Sequence, residues 1–183
     1  MLKNNELSYG WVSIVIHWLM AIGIFFIFGL GLYMVELTYY DAWYKGSLDL
    51  HKSLGGLLIG FLIFRIFWRV ITIQPKPLAA PKWQQIVAHG MHYLLYIGML
   101  LALISGYLIS TADGHAIVVF DLINLPALPW SIANQEDIAG EIHTILAWIL
   151  IVLSAIHALA ALKHHFINKD RTLVRMLKID NAN

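Results

Sequence analysis

Histidine is the residue type whose positions in this sequence most clearly indicate chemistry. The segment "GEIHTILAWILIVLSAIHALAALKHH", residues 140–165, is apolar over the length of a membrane helix, yet it contains His143 and His157. At about 100° per residue, fourteen residues return to within about 40° of the same helix face, roughly 21 Å further along the axis. Because imidazole is costly in hydrocarbon, two of them on one face indicate a functional site.

Two more histidines lie at matching depths on other apolar segments. His17 lies about two turns into the first such segment, at the expected depth of His157. His51 opens the second segment from the opposite side of the membrane, at the expected depth of His143. We therefore predict an inner pair, His17 with His157, and an outer pair, His51 with His143.

Facing imidazoles are the ligands that a b-type haem requires. Haem iron accepts one imidazole nitrogen on each side, and the apolar porphyrin fills the space between helices. The two pairs therefore predict two b haems. Because both axial positions of each iron are filled, these haems would carry electrons and would not bind oxygen. Zinc fits less well, because a closed zinc site needs four ligands together and these four residues are divided between two depths.

The start of the third apolar segment supplies alternative ligands for the inner haem. His89 and His92 stand one helical turn apart there, and the spacing leaves them shallower than His17. A contact with a haem propionate, or a position in the membrane interface, is therefore the preferred interpretation of both residues.

Small and basic residues follow His51 along the second segment. Gly55 and Gly56 would let a macrocycle or another helix approach the backbone closely, and either use is open. Arg65 comes fourteen residues after His51, on its side of the helix. A charge that faces other helices needs a partner, and a haem propionate would serve.

The end of the fourth segment is basic. His164 follows His157 by seven residues, and Lys163 and His165 flank it. One interpretation is a cluster that complements the helix C-terminus and lipid phosphates. The other is a quinone pocket, in which a histidine donates to a carbonyl oxygen and delivers protons.

These residues need four helices to position them. The chain is 60 % hydrophobic and has four segments, about 10–35, 51–73, 84–110 and 138–165, long enough to cross roughly 30 Å of hydrocarbon. We predict an all-α membrane protein: a four-helix transmembrane bundle that forms a single di-haem domain over residues 1–183. The outer loop, 111–136, is predicted to lie in the interface or to fold over the bundle. Cysteine is absent, which excludes iron–sulfur clusters, disulfides and thioether-bound haem.

The charges are distributed unequally between the two sides of the predicted bundle. Lysine and arginine concentrate on the side that holds both termini and the 74–83 turn, so both termini are predicted to be cytoplasmic. The opposite, periplasmic side carries Lys45 and Lys52 among eight acids: Glu36, Asp41, Asp49, Asp113, Asp121, Glu136, Asp137 and Glu141.

Several motifs together resemble the bacterial cytochrome b561 family, small four-helix di-haem cytochromes of the inner membrane. They are "SIVIHWLM", "LHKSLGGLLIGFLIFRIFWR", "AHGMHYLLYIGMLLALISGYLI", "IHTILAW" and "HALAALKHHFINKDRTLVRM". The resemblance places the axial ligands at His17, His51, His143 and His157. It also implies a ubiquinone site near the cytoplasmic haem, with His164 and His165 as contacts.

The family that these motifs resemble includes a member that looks like a superoxide oxidase, which takes an electron from periplasmic superoxide and passes it to quinone. A positively charged surface steers an anion toward a site. This outer face is instead acidic, apart from Lys45 and Lys52. Lys52 adjoins His51 and marks the predicted periplasmic entry to the outer haem. A basic electron-donor protein would fit that face better than superoxide does.

Two other functions are alternatives to a quinone-linked oxidoreductase. One is the cytochrome b anchor subunit of a larger respiratory dehydrogenase or hydrogenase, which shares the two-haem plan but needs a partner. The other is a histidine-lined metal transporter, which would need a row of polar residues along a path. We expect the partners to be quinone, a periplasmic electron donor or acceptor and membrane lipids, and no nucleic acid.

Overall fold

The computed structural model describes residues 1–178 and is mostly helical. Within this range, four long helices are each long and apolar enough to cross a membrane. This confirms the predicted fold class, an all-α membrane protein. The helices are α1 (Trp11–Val35), α2 (Tyr44–Ile71), α3 (Lys82–Ser110) and α4 (Gln135–Phe166).

All four helices expose large apolar side chains. Ile22 on α1, Ile63 on α2, Leu94 on α3 and Leu159 on α4 are each more than half exposed. A soluble protein rarely leaves such a continuous apolar surface uncovered. In a bilayer these side chains face hydrocarbon, while the helices satisfy their own backbone hydrogen bonds.

The second helix begins about two turns before His51, at Tyr44. Ser47 is fully buried there, and its hydroxyl donates to the Tyr44 carbonyl over 2.9 Å. The preceding connection is closed by Asp41, whose Oδ2 accepts hydrogen bonds from the Thr38 hydroxyl and backbone N–H, both at 2.7 Å. These bonds hold the pKa of Asp41 below its usual range.

The fourth helix begins with a buried glutamine. Gln135 donates from Nε2 to the Leu108 carbonyl over 3.0 Å, which joins the start of α4 to the end of α3. The first turn of α4 carries Glu136 and Asp137, and its last turn carries Lys163, His164 and His165. Acids at the N-terminus and bases at the C-terminus are the distribution that the helix dipole favours.

The loop between α3 and α4 contains a short antiparallel hairpin. Strand β1 (Ile117–Val119) pairs with β2 (Ile123–Leu125). The turn is closed by the Leu122 N–H, which donates to the Val119 carbonyl over 3.0 Å. Its two central residues, Phe120 and Asp121, have φ of 50° and 56°, a region that non-glycine residues seldom adopt.

The hairpin packs against α2. The Ser53 hydroxyl accepts a hydrogen bond from the Phe120 N–H at 3.1 Å and donates to the Val118 carbonyl at 3.4 Å. A Cβ atom added at Gly56 would come within 2.5 Å of Val119, so only glycine leaves room for this strand. The outer loop therefore contacts α2 through this hairpin.

The chain divides into two compact units. The first unit comprises Met1–Ala21, Phe61–Tyr96 and Val152–Asn183, and the second comprises Ile22–Gly60 and Ile97–Ile151. Each long helix therefore contributes a segment to both units. A single di-haem domain over the whole chain stays a prediction.

A buried arginine joins three segments of the first unit. Arg175 lies in a 3₁₀ turn (Val174–Met176), and its guanidinium donates to the carbonyls of Leu7 and Lys76. The adjacent Met176 carbonyl accepts the indole N–H of Trp18 over 2.6 Å. The C-terminal turn is therefore fixed to the N-terminal segment and to the α2–α3 connection.

Candidate functional site

The structure brings the predicted histidine pairs together. In the first unit, the rings of His17 on α1 and His157 on α4 have centroids 6.3 Å apart, with their planes at 75°. In the second unit, the rings of His51 on α2 and His143 on α4 are also 6.3 Å apart, at 77°. All four side chains are half-buried.

These separations match two imidazoles on opposite sides of one metal ion. A metal–imidazole bond is about 2 Å long and a ring nitrogen lies about 1 Å from its ring centroid, which gives a centroid separation of about 6 Å. His92, the alternative ligand, is only 5.2 Å from the His157 ring centroid. This separation is shorter than the one expected across a metal ion, so His92 fits an axial position less well than His17 does.

In the outer pair, hydrogen bonds hold the His143 ring in the tautomer that can bind a metal through Nε2. His143 Nδ1 lies 2.9 Å from the Ala102 carbonyl oxygen and 3.1 Å from the Ser105 hydroxyl. Because a carbonyl only accepts, Nδ1 carries the ring proton, and Nε2 keeps the lone pair that a metal needs. His51 differs: its Nδ1 is buried without a hydrogen-bond partner among residues 1–178.

In the inner pair, the group beside His17 Nδ1 is a hydrogen-bond donor, whereas iron binding through Nε2 requires a hydrogen-bond acceptor there. Arg65 Nη2 lies 3.3 Å from His17 Nδ1, and Arg65 Nε donates to the Tyr96 hydroxyl over 2.8 Å. Guanidinium only donates, so His17 Nδ1 accepts and the neutral ring carries its proton on Nε2. Binding iron through Nε2 therefore requires Arg65 to leave His17 for another acceptor, such as a propionate.

An apolar cavity adjoins the outer pair. Its lining includes His51, His143, Gly55 and Lys52, and is otherwise mostly aliphatic and aromatic. Such a lining suits a porphyrin, which is apolar on both faces. Of the three glycines after His51, Gly55 lines this cavity, Gly56 accommodates the hairpin, and Gly60 has open space beside it.

Two other glycines lie directly against the outer rings. A Cβ atom at Gly31 on α1 would be 3.2 Å from His51 Cε1, and one at Gly106 on α3 would be 3.0 Å from His143 Cε1. Both contacts are tighter than ordinary van der Waals distances, so these helices support the rings only because a side chain is missing. The sequence signal that could have identified Gly31 and Gly106 is a glycine inside an apolar helix.

The basic end of α4 contains a histidine–carboxylate pair. His164 Nδ1 lies 2.5 Å from Asp170 Oδ2, the His165 ring packs edge-on against Phe166, and Lys163 is exposed. At the start of α3, His89 is exposed and its Nδ1 lies 2.7 Å from the Gln85 carbonyl. No sequence pattern predicted a role for Asp170, Tyr96 or Ser105.

No group of three or more His, Cys, Asp or Glu side chains in the described part of the chain is arranged to hold a metal ion. The donor sets at the two pairs are instead two imidazoles each. Two donors suit a haem, whose porphyrin supplies the other ligands of iron, better than they suit a closed zinc site.

A model of the protein family described as Prokaryotic cytochrome b561 matches residues 8–178. The chain belongs to this family. Cytochrome b561 homolog 2 of Escherichia coli (strain K12) is 47% identical to this cytochrome over 175 residues, which cover 95% of this chain and 93% of the relative. The protein named "Probable superoxide oxidase CybB", of Yersinia pestis, is 28% identical over 178 residues, 93% of this chain and 96% of that protein.

Family membership confirms the resemblance that the sequence motifs indicated. As a prokaryotic cytochrome b561, the protein is a membrane electron-transfer cytochrome of a family that binds b-type haem. With its four spanning helices, it is a multi-pass protein of the bacterial inner membrane.

Proposed function

We propose that this cytochrome binds two b haems and carries electrons between a periplasmic redox partner and the quinone pool. One haem would be held by His17 and His157, and the other by His51 and His143. The observation that supports this most directly is that both pairs have the same ring separation, 6.3 Å, with rings nearly perpendicular. Two pairs with the same ligand type and the same ring separation in one small chain favour two cofactors of the same kind.

When bound, haem supplies an iron that gains and loses one electron. The paired histidines would fill both axial positions of that iron, and the side chains around them would set its environment. His143 donates from Nδ1 to the Ala102 carbonyl, which fixes the ring and makes Nε2 a stronger donor. Arg65 would neutralise a propionate of the inner haem. The His92 ring adjoins that of His157, where it could contact the same haem.

The quinone is assigned to the basic end of α4. Both termini are cytoplasmic by the charge distribution, so His164, His165 and Lys163 would meet quinone at the cytoplasmic surface. His164 is half-buried and bonded to a carboxylate, a setting that suits proton exchange.

Anaerobic mixing of the oxidised protein with a soluble ubiquinol tests this function. We expect the quinol to reduce the ferric b haems, which is seen as the appearance of the reduced b-haem spectrum. Carbon monoxide should leave that spectrum unchanged, because both axial positions are filled. Haem that dithionite reduces but ubiquinol does not would contradict the quinone assignment. A shift of the reduced spectrum after carbon monoxide is added would contradict the filling of both axial positions.

Superoxide oxidation is a second candidate for the periplasmic half-reaction, with superoxide losing one electron to become oxygen. The observation in its favour is Lys52, which lines the cavity of the outer pair and could attract an anion there. Replacing Lys52 by Glu should then slow haem reduction by superoxide about tenfold, whereas Lys45→Glu on the same helix should not. Equal rates in the two variants would exclude this candidate.

A further inference from the structure

The chain reverses direction immediately after α4. The backbone N–H groups of Ile167 and Asn168 donate to the Lys163 carbonyl at 2.9 and 3.1 Å. Lys169 has a φ of 54°, the left-handed conformation that commonly ends a helix. The Asp170 N–H then donates to the His164 carbonyl over 3.1 Å, which returns Asp170 to the last turn of the helix.

The reversal holds the Asp170 carboxylate at both oxygens. Oδ1 accepts the Thr172 N–H at 2.8 Å, and Oδ2 lies 2.5 Å from His164 Nδ1. Partial burial raises the pKa of Asp170, but the hydrogen bonds from Thr172 and His164 outweigh it and hold the pKa below its usual range. The ionised carboxylate can only accept, so His164 carries a proton on Nδ1.

We propose that Asp170 is a positioning residue for proton exchange between His164 and a quinone. The inference rests on the proposed function, in which His164 meets quinone. Asp170 holds the imidazole in one orientation and one tautomer, so Nε2 is the nitrogen left to exchange a proton. A hydrogen-bonded carboxylate orients a catalytic histidine in the same way in other enzymes.

Oxidation of a quinol to the quinone releases two electrons and two protons. His164 Nε2 accepts one hydroxyl proton, becomes imidazolium and releases that proton to water, while the second proton passes to water directly. The two electrons would leave one at a time, one to each of the two proposed ferric b haems.

A second aspartate–histidine pair supplies a matched control. In the outer loop, Asp113 Oδ1 accepts the His115 N–H over 3.0 Å, and Asp113 Oδ2 lies 3.1 Å from His115 Nδ1. These side chains are 67% and 85% exposed, against 31% and 26% for Asp170 and His164. Neither Asp113 nor His115 has a place in the proposed quinone reaction.

The test compares Asp170→Asn, Asp170→Glu and Asp113→Asn in the full chain with haem bound, reconstituted in lipid nanodiscs. Stopped-flow absorbance gives kcat and KM for haem reduction by a soluble ubiquinol. We expect Asp170→Asn to lower kcat at least about tenfold with KM changed less than about twofold, because a misoriented base slows proton transfer more than binding. Asp170→Glu should recover part of the rate, and Asp113→Asn should match the wild type.

Two further measurements separate positioning from a structural role. In a His164→Gln background, Asp170→Asn should cause no additional slowing, because the aspartate acts through that histidine. Haem content and the dithionite-reduced spectrum should stay as in the wild type. If Asp170→Asn assembles poorly, Asp170→Glu carries the comparison, with a rate between those of the wild type and His164→Gln.

The proposal is overturned if Asp170→Asn keeps the wild-type kcat, or if it slows the His164→Gln variant further. It is also overturned if both Asp170 variants lose haem, because the aspartate would then serve only the fold. A wild-type protein that dithionite reduces but ubiquinol does not would instead remove the proposed quinone function itself.

Discussion

At the scale of single residues, the partners of the paired histidines differ in kind. Ala102 accepts from His143, Arg65 donates to His17, and His51 Nδ1 is buried without a partner among residues 1–178. Iron binding at Nε2 therefore suits His143 as it stands, but it requires Arg65 to change partner. The two pairs share one ring separation and have unequal surroundings, so the two proposed haems would have unequal reduction potentials.

The contact between Gly106 and His143 gives a prediction for the outer pair. Gly106→Ala would place a Cβ atom 3.0 Å from His143 Cε1, so the ring has to move away from its present position. We expect the haem content to fall from two per chain toward one, measured as pyridine haemochrome. Gly98→Ala on the same helix is the control, since its Cβ would meet only Leu150 at an ordinary 3.6 Å. Equal haem loss in both variants would contradict the role of Gly106.

The histidine pairs could be predicted from sequence because depth in a membrane follows from position along an apolar helix. The neighbours of the rings could not. Whether Ser105 or Gly106 faces His143 depends on the rotation and separation of two helices, which hydropathy does not set. Asp170 reaches His164 only through the positive φ of Lys169, and lysine does not signal that conformation in a sequence.

At the scale of elements, the long helices followed from hydropathy and the hairpin did not. Strands of three residues carry little periodicity, and the apolar "IVVF" fits an interfacial loop equally well. The beginning of α2 at Tyr44 also differs from the predicted span, 51–73, because "YKGSLDL" is too polar to count as membrane helix. The hairpin keeps its place through Ser53 and Gly56, both on α2.

The hairpin turn is a site where stability can be raised. Phe120 and Asp121 both have positive φ, which asparagine and glycine adopt at lower cost. Phe120→Asn with Asp121→Gly should raise the free energy of unfolding by about 1 kcal/mol. Ser53→Ala should lower it by about 1 kcal/mol, because the Phe120 N–H loses its acceptor.

Thermal unfolding in detergent, followed by haem absorbance, measures both changes. The two variants should move the midpoint in opposite directions. A midpoint that Ser53→Ala leaves unchanged would mean that the hairpin is not held by this serine.

At the scale of the whole molecule, charge determines orientation. Lys3, Lys76, Lys82, Lys163 and Arg175 lie on the side assigned to the cytoplasm, and the periplasmic side is acidic. The helices alone are equally compatible with the opposite orientation. Orientation is therefore a prediction from sequence, and it decides on which side of the membrane the His164 end of α4 would meet quinone.

Fusions test this orientation directly. Green fluorescent protein fused to the C-terminus should fluoresce, and alkaline phosphatase fused there should be inactive. Alkaline phosphatase inserted after Asp113, in the outer loop, should be active. The reverse pattern would place the His164–Asp170 pair on the periplasmic side and contradict the positive-inside assignment.

The number of b haems per chain tests the central claim most directly. Pyridine haemochrome absorbance of the purified protein, divided by the chain concentration, should give two. It should give one for His51→Leu and one for His17→Leu, because each variant removes one axial ligand. A wild-type ratio of one, or two haems retained in either variant, would contradict the two sites.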